Sequence, residues 1–194
     1  AGKGSENMIF LTFGTGLGAG LILNGRLYSG SNFAGAELGH AVIEVDGEQC
    51  TCGRKGCFEV FSSATGLVRM TKEAMDADKD SLLWKASEEE GKVSARTAFN
   101  AMRMGDATAK SVVDKYIRYL ACGITNVINV FQPDILCIGG GVCNEGDPLL
   151  LPLVEQVEKE VYTKNSEKNT KIVIAKLGND AGIIGAAFLG LNKK

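Results

Sequence analysis

The chain has 194 residues, 45% of them hydrophobic, with a formal charge of −2. That length allows one domain or one large lobe with a real core, and the slightly acidic balance argues against a nucleic-acid-binding surface. No apolar run reaches membrane-spanning length and no signal peptide is present, so its six cysteines point to a reducing, cytoplasmic setting.

The start, Ala1-Gly-Lys-Gly-Ser-Glu-Asn7, has no initiator methionine and reads as a cut or processed end. Met8 to Phe13 is a short apolar run that predicts a buried strand. Gly14-Thr-Gly-Leu-Gly-Ala-Gly20 reads as a glycine-rich loop, Leu21 to Leu23 as a second strand ending at the Asn24-Gly25 turn, and Arg26 to Tyr28 as a third. A dinucleotide fingerprint needs a helix after its glycines, and here a strand follows. A strand–glycine–strand hairpin can still offer backbone N–H groups to phosphate oxygens, which makes Gly14, Thr15 and Gly16 candidates for nucleotide binding. A plain flexible hairpin fits the same letters.

The stretch from Glu37 to Glu59 carries the densest chemistry. It reads Glu37-Leu-Gly-His40, then Cys50-Thr-Cys52, then Gly53-Arg-Lys-Gly56-Cys57-Phe-Glu59. The only histidine lies ten residues before the first of three clustered cysteines. Three thiols and one imidazole are a full tetrahedral set for a structural zinc, with no position left for a catalytic water. Gly53 and Gly56 would let the backbone fold back so that the thiolates converge. A disulfide plus one free thiol is the alternative, although Cys50 and Cys52 are poorly placed to pair with each other. Glu37 and Glu59 bracket the cluster and are not needed as ligands.

Ser62 to about Met75 predicts a helix capped by Ser62 or Ser63. Asp76 to Gly91 reads as a charged helical excursion with Trp84 over a core edge. Val93 to Met104 predicts a short helix closed by Gly105-Asp106. Ala107 to Phe131 is the longest helical pattern, with apolar residues at steps of three and four from Val113 to Phe131. Asp134 to Ile138 then predicts a buried strand running into Gly139-Gly140-Gly141, with a helix over Leu149 to Lys164. Strand, glycines and helix fit an α/β crossover, where ligands sit at the carboxyl ends of strands; a plain tight turn is the alternative. Cys122 and Cys137 read as core residues, and Cys143 is without an evident role. Lys171 to Leu177 predicts the last strand, Gly178 to Gly182 a turn, and Ile183 to Leu191 a final helix with one apolar stripe of Ile184, Ala187, Phe188 and Leu191.

Glu-x-Gly-His followed by Cys-x-Cys-Gly-x-x-Gly-Cys-x-Glu resembles the ROK family of bacterial sugar kinases and sugar-responsive repressors. The likeness extends to Gly-Thr-Gly-Leu-Gly-Ala-Gly, to Ile-Gly-Gly-Gly-Val, and to Leu-Gly-Asn-Asp-Ala-Gly-Ile-Ile-Gly-Ala-Ala, the last most similar to the glucokinase branch. It implies an α/β fold, the lobe of an actin-like ATPase (ribonuclease H-like), with a mixed sheet, flanking helices and a zinc-bound loop. It implies zinc on His40, Cys50, Cys52 and Cys57, and sugar hydroxyls on Glu37, His40 and Glu59. ATP with Mg2+ would lie on Gly14, Thr15 and Gly16, with adenosine at Gly139, Gly140 and Gly141.

Two parts of the family pattern do not appear: an Asp-x-Gly-Gly-Thr phosphate loop and an Asn-Asp pair whose Asp is the general base. The chain therefore reads as the large C-terminal lobe of a two-lobed kinase over 1–180, with 181–194 a terminal helix docking on the N-terminal lobe. Alone it is expected to be inactive. The implied reaction is ATP-dependent phosphorylation of a hexose, glucose to glucose 6-phosphate; the sensing lobe of a repressor is the alternative. The expected partners are a hexose and ATP, with neither nucleic acid nor membrane, in a homo-oligomer, a dimer.

Overall fold

The computed structural model describes residues 2–178 and 180–191, with side chains described to Phe188. Asn179 of the expected turn and the Leu191 side chain of the expected stripe lie outside the described residues. The strands are β1 (Met8–Phe13), β2 (Leu17–Leu23), β3 (Arg26–Tyr28), β4 (Ile135–Gly139) and β5 (Lys171–Ile174). They form one sheet in the order β3-β2-β1-β4-β5. The hairpins β1–β2 and β2–β3 are antiparallel, whereas β1–β4 and β4–β5 are parallel. The helices are α1 (Phe58–Ser62), α2 (Ala64–Ala77), α3 (Leu83–Glu89), α4 (Thr97–Arg103), α5 (Ala107–Phe131), α6 (Asp147–Glu160) and α7 (Asp180–Leu191). This is the mixed sheet with flanking helices that the sequence implied.

Alternation places Ile9, Leu11 and Phe13 of β1 on the buried face, while Met8, Phe10 and Thr12 are half-buried. β4 is buried more completely, as a strand between two parallel neighbours should be. α5 shares one apolar core with the buried face of β1. Its residues Val113, Tyr116, Ile117, Leu120, Ile124, Val127 and Ile128 are buried, and burying each Leu or Ile fully contributes about 1.5–3 kcal/mol. Phe58 packs edge-on to Phe13, ring centroids 6.3 Å apart. The Phe58 ring also lies on Gly123 of α5, where any Cβ would overlap it. The buried Tyr116 hydroxyl donates to the Ser62 carbonyl at 2.7 Å.

Asp106 caps α5 through the Ala109 N–H and accepts from the Leu82 N–H at 2.7 Å and the Ser81 hydroxyl at 3.1 Å. Burial pushes its carboxyl up, but these hydrogen bonds outweigh burial and hold it below the usual value. Nearby, Arg103 at the end of α4 pairs with Glu145, whose side chain is 5% exposed. Glu145 ends a 3-10 turn, Gly141–Glu145, that follows β4.

Several boundaries differ from expectation. Leu17 to Gly20 belong to β2 and not to a loop, because Gly18 and Gly20 pair with Thr12 and Phe10. The helix expected from Ser62 to about Met75 is α2, with Ser63 as its cap, accepting from the Gly66 N–H, and the short α1 just before it was not expected. α6 starts earlier, with Pro148 in its first turn, where a missing N–H is harmless. α7 also starts earlier and is not amphipathic: Ile183 on one side is 74% exposed and Phe188 on another 59%.

Candidate functional site

The first glycine segment is shorter and stiffer than a flexible loop. Phe13 pairs with Leu17, so Gly14, Thr15 and Gly16 alone make the hairpin tip. Three bonds hold this tip to the α1–α2 elbow. The Ala64 N–H donates to the Gly14 carbonyl at 2.8 Å, the Thr65 hydroxyl donates to the Thr15 carbonyl at 2.7 Å, and the Leu17 N–H donates to Glu59 Oε2 at 2.8 Å. The sequence offered no signal for Thr65 or Leu17, whose partners are distant in the chain.

The second segment adjoins the first. Thr12 pairs with Gly139 across the parallel β1–β4 ladder. Gly140 has φ +95° and packs so closely on the backbone of Phe13 that a Cβ would overlap it. Both segments therefore lie at the carboxyl ends of neighbouring parallel strands. A cavity of about 280 Å³ opens beside the second and is lined by Thr12, Gly139, Gly140, Cys143, Ala175 and Gly182, among others. Gly14, Thr15, Gly16 and Gly141 do not line it. The Cys143 thiol donates to the Gly139 carbonyl at 3.3 Å, which gives that residue a place at the cavity wall.

The loop from Ala41 to Cys57 is folded by its own backbone. Ile43 and Glu44 donate to the Gly56 carbonyl, Gly56 to Glu48, Cys50 to Arg54, and Phe58 back to Ala41. Gly53 has φ +92° and Gly56 φ +74°, and a Cβ on Gly56 would overlap the Glu44 carbonyl, so both glycines are needed as the sequence suggested. The fold-back gathers His40, Cys50, Cys52 and Cys57, whose ligand atoms all lie within 4.8 Å of one another. Cys50 Sγ is 3.6 Å from His40 Nδ1 and Cys52 Sγ is 3.7 Å from Cys57 Sγ. A tetrahedral zinc spaces its sulfurs about 3.8 Å apart, and sulfur from nitrogen about 3.5 Å, so the donor set fits that ion. All three thiols are free, which removes the disulfide alternative. Burial pushes the Cys57 thiol up to about 12, whereas a hydrogen bond from the Arg54 backbone lowers the exposed Cys52 thiol; a metal would hold both as thiolates.

With Nδ1 turned to the thiols, His40 Nε2 faces outward and lies 4.0 Å from Glu37 Oε2. Glu37 precedes and His40 ends a 3-10 turn, Leu38–His40, whose Gly39 lies directly on Leu17. Leu17 is also the residue that Glu59 holds. The turn carrying Glu37 and His40 and the carboxylate of Glu59 therefore meet at the base of the first glycine hairpin.

The chain matches the ROK family over residues 1–193. It belongs to the ROK family. Over 190 residues it is 40% identical to the glucokinase of Halalkalibacterium halodurans, which covers 97% of this chain and 57% of that protein. The Thermotoga maritima glucokinase is 39% identical over 97% of this chain and 59% of its own length. The structure of a ROK family glucokinase from Streptomyces griseus in complex with glucose and AMPPNP superposes with a TM-score of 0.88 at 31% identity, covering 97% of this chain and 62% of that one. The xylose repressor of Bacillus subtilis is more distant, 26% identical over 97% of this chain and 45% of its length. This ROK chain thus spans about three fifths of the length of the glucokinases it matches. Among its described residues no helix is long and apolar enough to cross a membrane.

Proposed function

We propose that the protein to which this chain belongs phosphorylates a hexose with ATP, converting glucose to glucose 6-phosphate, and that residues 1–180 form its large lobe. The observation that carries this reading is the meeting of two glycine segments at the carboxyl ends of β1 and β4, in a chain 40% identical to a glucokinase. In this reading Gly14, Thr15 and Gly16 approach the ATP phosphates, and Gly139, Gly140 and Gly141 the adenosine. Glu37, His40 and Glu59 hold sugar hydroxyls. Carboxylates accept two hydrogen bonds readily, and a hydroxyl missing from the sugar leaves one of them unpaired. Zinc on His40, Cys50, Cys52 and Cys57 supplies structure only, and its bond to Nδ1 fixes Nε2 as the proton-bearing, sugar-facing nitrogen.

Phosphoryl transfer also needs a base within reach of the attacking hydroxyl, and Mg2+ with in-line geometry. Those parts are assigned outside this chain, and Glu37 and Glu59 are read as hydroxyl holders. The chain by itself is therefore expected to turn over no sugar, since removal of a positioned base alone costs about 10²–10⁴ in rate. α7 is read as docking on the other lobe: it is apolar on all sides, with Ile183 and Phe188 exposed, and such a helix is normally enclosed. The whole is expected to be a homo-oligomer, a dimer, which light scattering would count.

A coupled phosphorylation assay with glucose and ATP on the complete protein tests the reading. Glu59→Gln should raise the glucose requirement more than the ATP requirement. Saturable glucose binding without any turnover would instead favour the sugar-sensing reading that the repressor relatives suggest.

A further inference from the structure

Gly16 belongs by sequence to the phosphate hairpin, yet its surroundings concern the sugar carboxylate. The Leu17 N–H holds Glu59 Oε2 at 2.8 Å, and a Cβ at position 16 would overlap that same oxygen. The φ of Gly16 is not in the left-handed region, so the backbone there would accept alanine. The only obstacle to a side chain is the Glu59 carboxylate, the far end of a flexible side chain that would yield. Gly14, two residues earlier on the same tip, faces open space. Among the described hydrogen bonds Glu59 Oε1 accepts none, so one oxygen is committed to the hairpin and the other is free for a hydroxyl.

We propose that Gly16 is a positioning residue for the sugar: its missing side chain lets the hairpin amide of Leu17 fix Glu59, so that the phosphate hairpin and the sugar carboxylate move as one unit. This deepens the sugar-kinase reading and rests on it. A ligand that displaces the hairpin tip displaces Glu59 with it, and a hydroxyl bound to Oε1 braces the tip.

The test is a double-mutant cycle in the complete protein, reading the KM for glucose and the KM for ATP separately. Gly16→Ala should raise the glucose KM about tenfold, the factor for one misplaced hydrogen-bonding carboxylate, and raise it by more than it raises the ATP KM. In a Glu59→Ala background the added methyl meets nothing, so Gly16→Ala should then leave the glucose KM where Glu59→Ala put it. If Gly16→Ala alone proves insoluble, the same logic requires that Glu59→Ala restore its folding. Additive effects on the glucose KM, or a rise in the ATP KM alone, would overturn the proposal. A complete protein with no glucose-dependent turnover would overturn the functional reading instead. The contact would then be read from the Leu17 amide, which should exchange faster in Glu59→Ala; unchanged exchange would overturn it too.

Discussion

The two glycine segments look alike in the sequence and are held in place by different physics. None of Gly14, Gly16, Gly18 and Gly20 has a left-handed backbone. The first segment is an ordinary hairpin, positioned from outside by Glu59, Ala64 and Thr65, and glycine matters there for what stands nearby. The second is positioned by its own backbone: Gly140 needs both its φ of +95° and its contact with Phe13. The turn after it is fastened by Glu145 to Arg103. One segment depends on the α1–α2 elbow, the other on the central strands and the α4–α5 corner. Glycine count alone conceals that distinction.

Removing the metal should separate the two most clearly. A chelator should loosen the Ala41–Cys57 loop and with it His40 and Glu59, weakening glucose binding by about tenfold or more. The core around α5 should still unfold cooperatively near its original temperature, as calorimetry would show. Metal analysis of protein purified without chelator should find about one zinc per chain. Loss of glucose binding and of the whole fold in a single step would mean that the segments are not independent.

Gly140→Ala should strike the second segment. Alanine at φ +95° and ψ 172°, a region that glycine alone ordinarily occupies, costs about 1–3 kcal/mol, and the overlap with Phe13 adds to it, for about 3 kcal/mol in all. Denaturant midpoints would measure this, and a loss below about 1 kcal/mol would show that the backbone at β4 yields more easily than its packing implies.

Asp106→Ala should cost less, about 1–2 kcal/mol for a lost helix cap, and should loosen the corner that carries Arg103. The pH dependence has a definite sign. The folded carboxyl lies below its usual value, so its contribution is fully present above about pH 4 and is lost as pH falls through the lower, folded value. Asp106→Ala should therefore flatten the acid limb of stability against pH. An unchanged limb would rule Asp106 out as a source of acid sensitivity.

Gly14→Ala is the smallest change. With open space and no positive φ at position 14, stability should move by no more than about 0.5 kcal/mol. A larger loss would mean that the first hairpin, like the second segment, relies on its own backbone.

How much of this was legible depended on whether the cause was local. β1 and α5 match their expected ranges residue for residue, because alternation and three–four spacing are written along the chain. The gathering of His40, Cys50, Cys52 and Cys57 was legible because such donors are few in the chain and closely spaced. β2 was read too short, since glycines have no side chain with which to show alternation and only pairing with β1 reveals them as strand. α1 was missed because five residues are too few to show a period. The bonds from Leu17 to Glu59 and from Arg103 to Glu145 join residues 42 positions apart in each case. No local pattern encodes them. The last helix was read as one stripe, although its apolar residues lie all round it.

Cys57, Phe58 and Glu59 are three neighbours with three unrelated duties: one faces the thiol cluster, one plugs the core against Gly123, and one reaches the hairpin. They can point in three directions because α1 begins at Phe58 and each helical residue turns by about 100°. The consequence is an intolerance of insertions and deletions. A single residue gained or lost between Cys57 and Glu59 would turn every later duty to the wrong side, however conservative the residue itself. The connection from Ser29 to Ala36, closed by the Gly35 N–H on the Ser29 carbonyl at 2.9 Å, should by contrast accept changes of length at its exposed tip, residues 31–34, which adjust no such angular register.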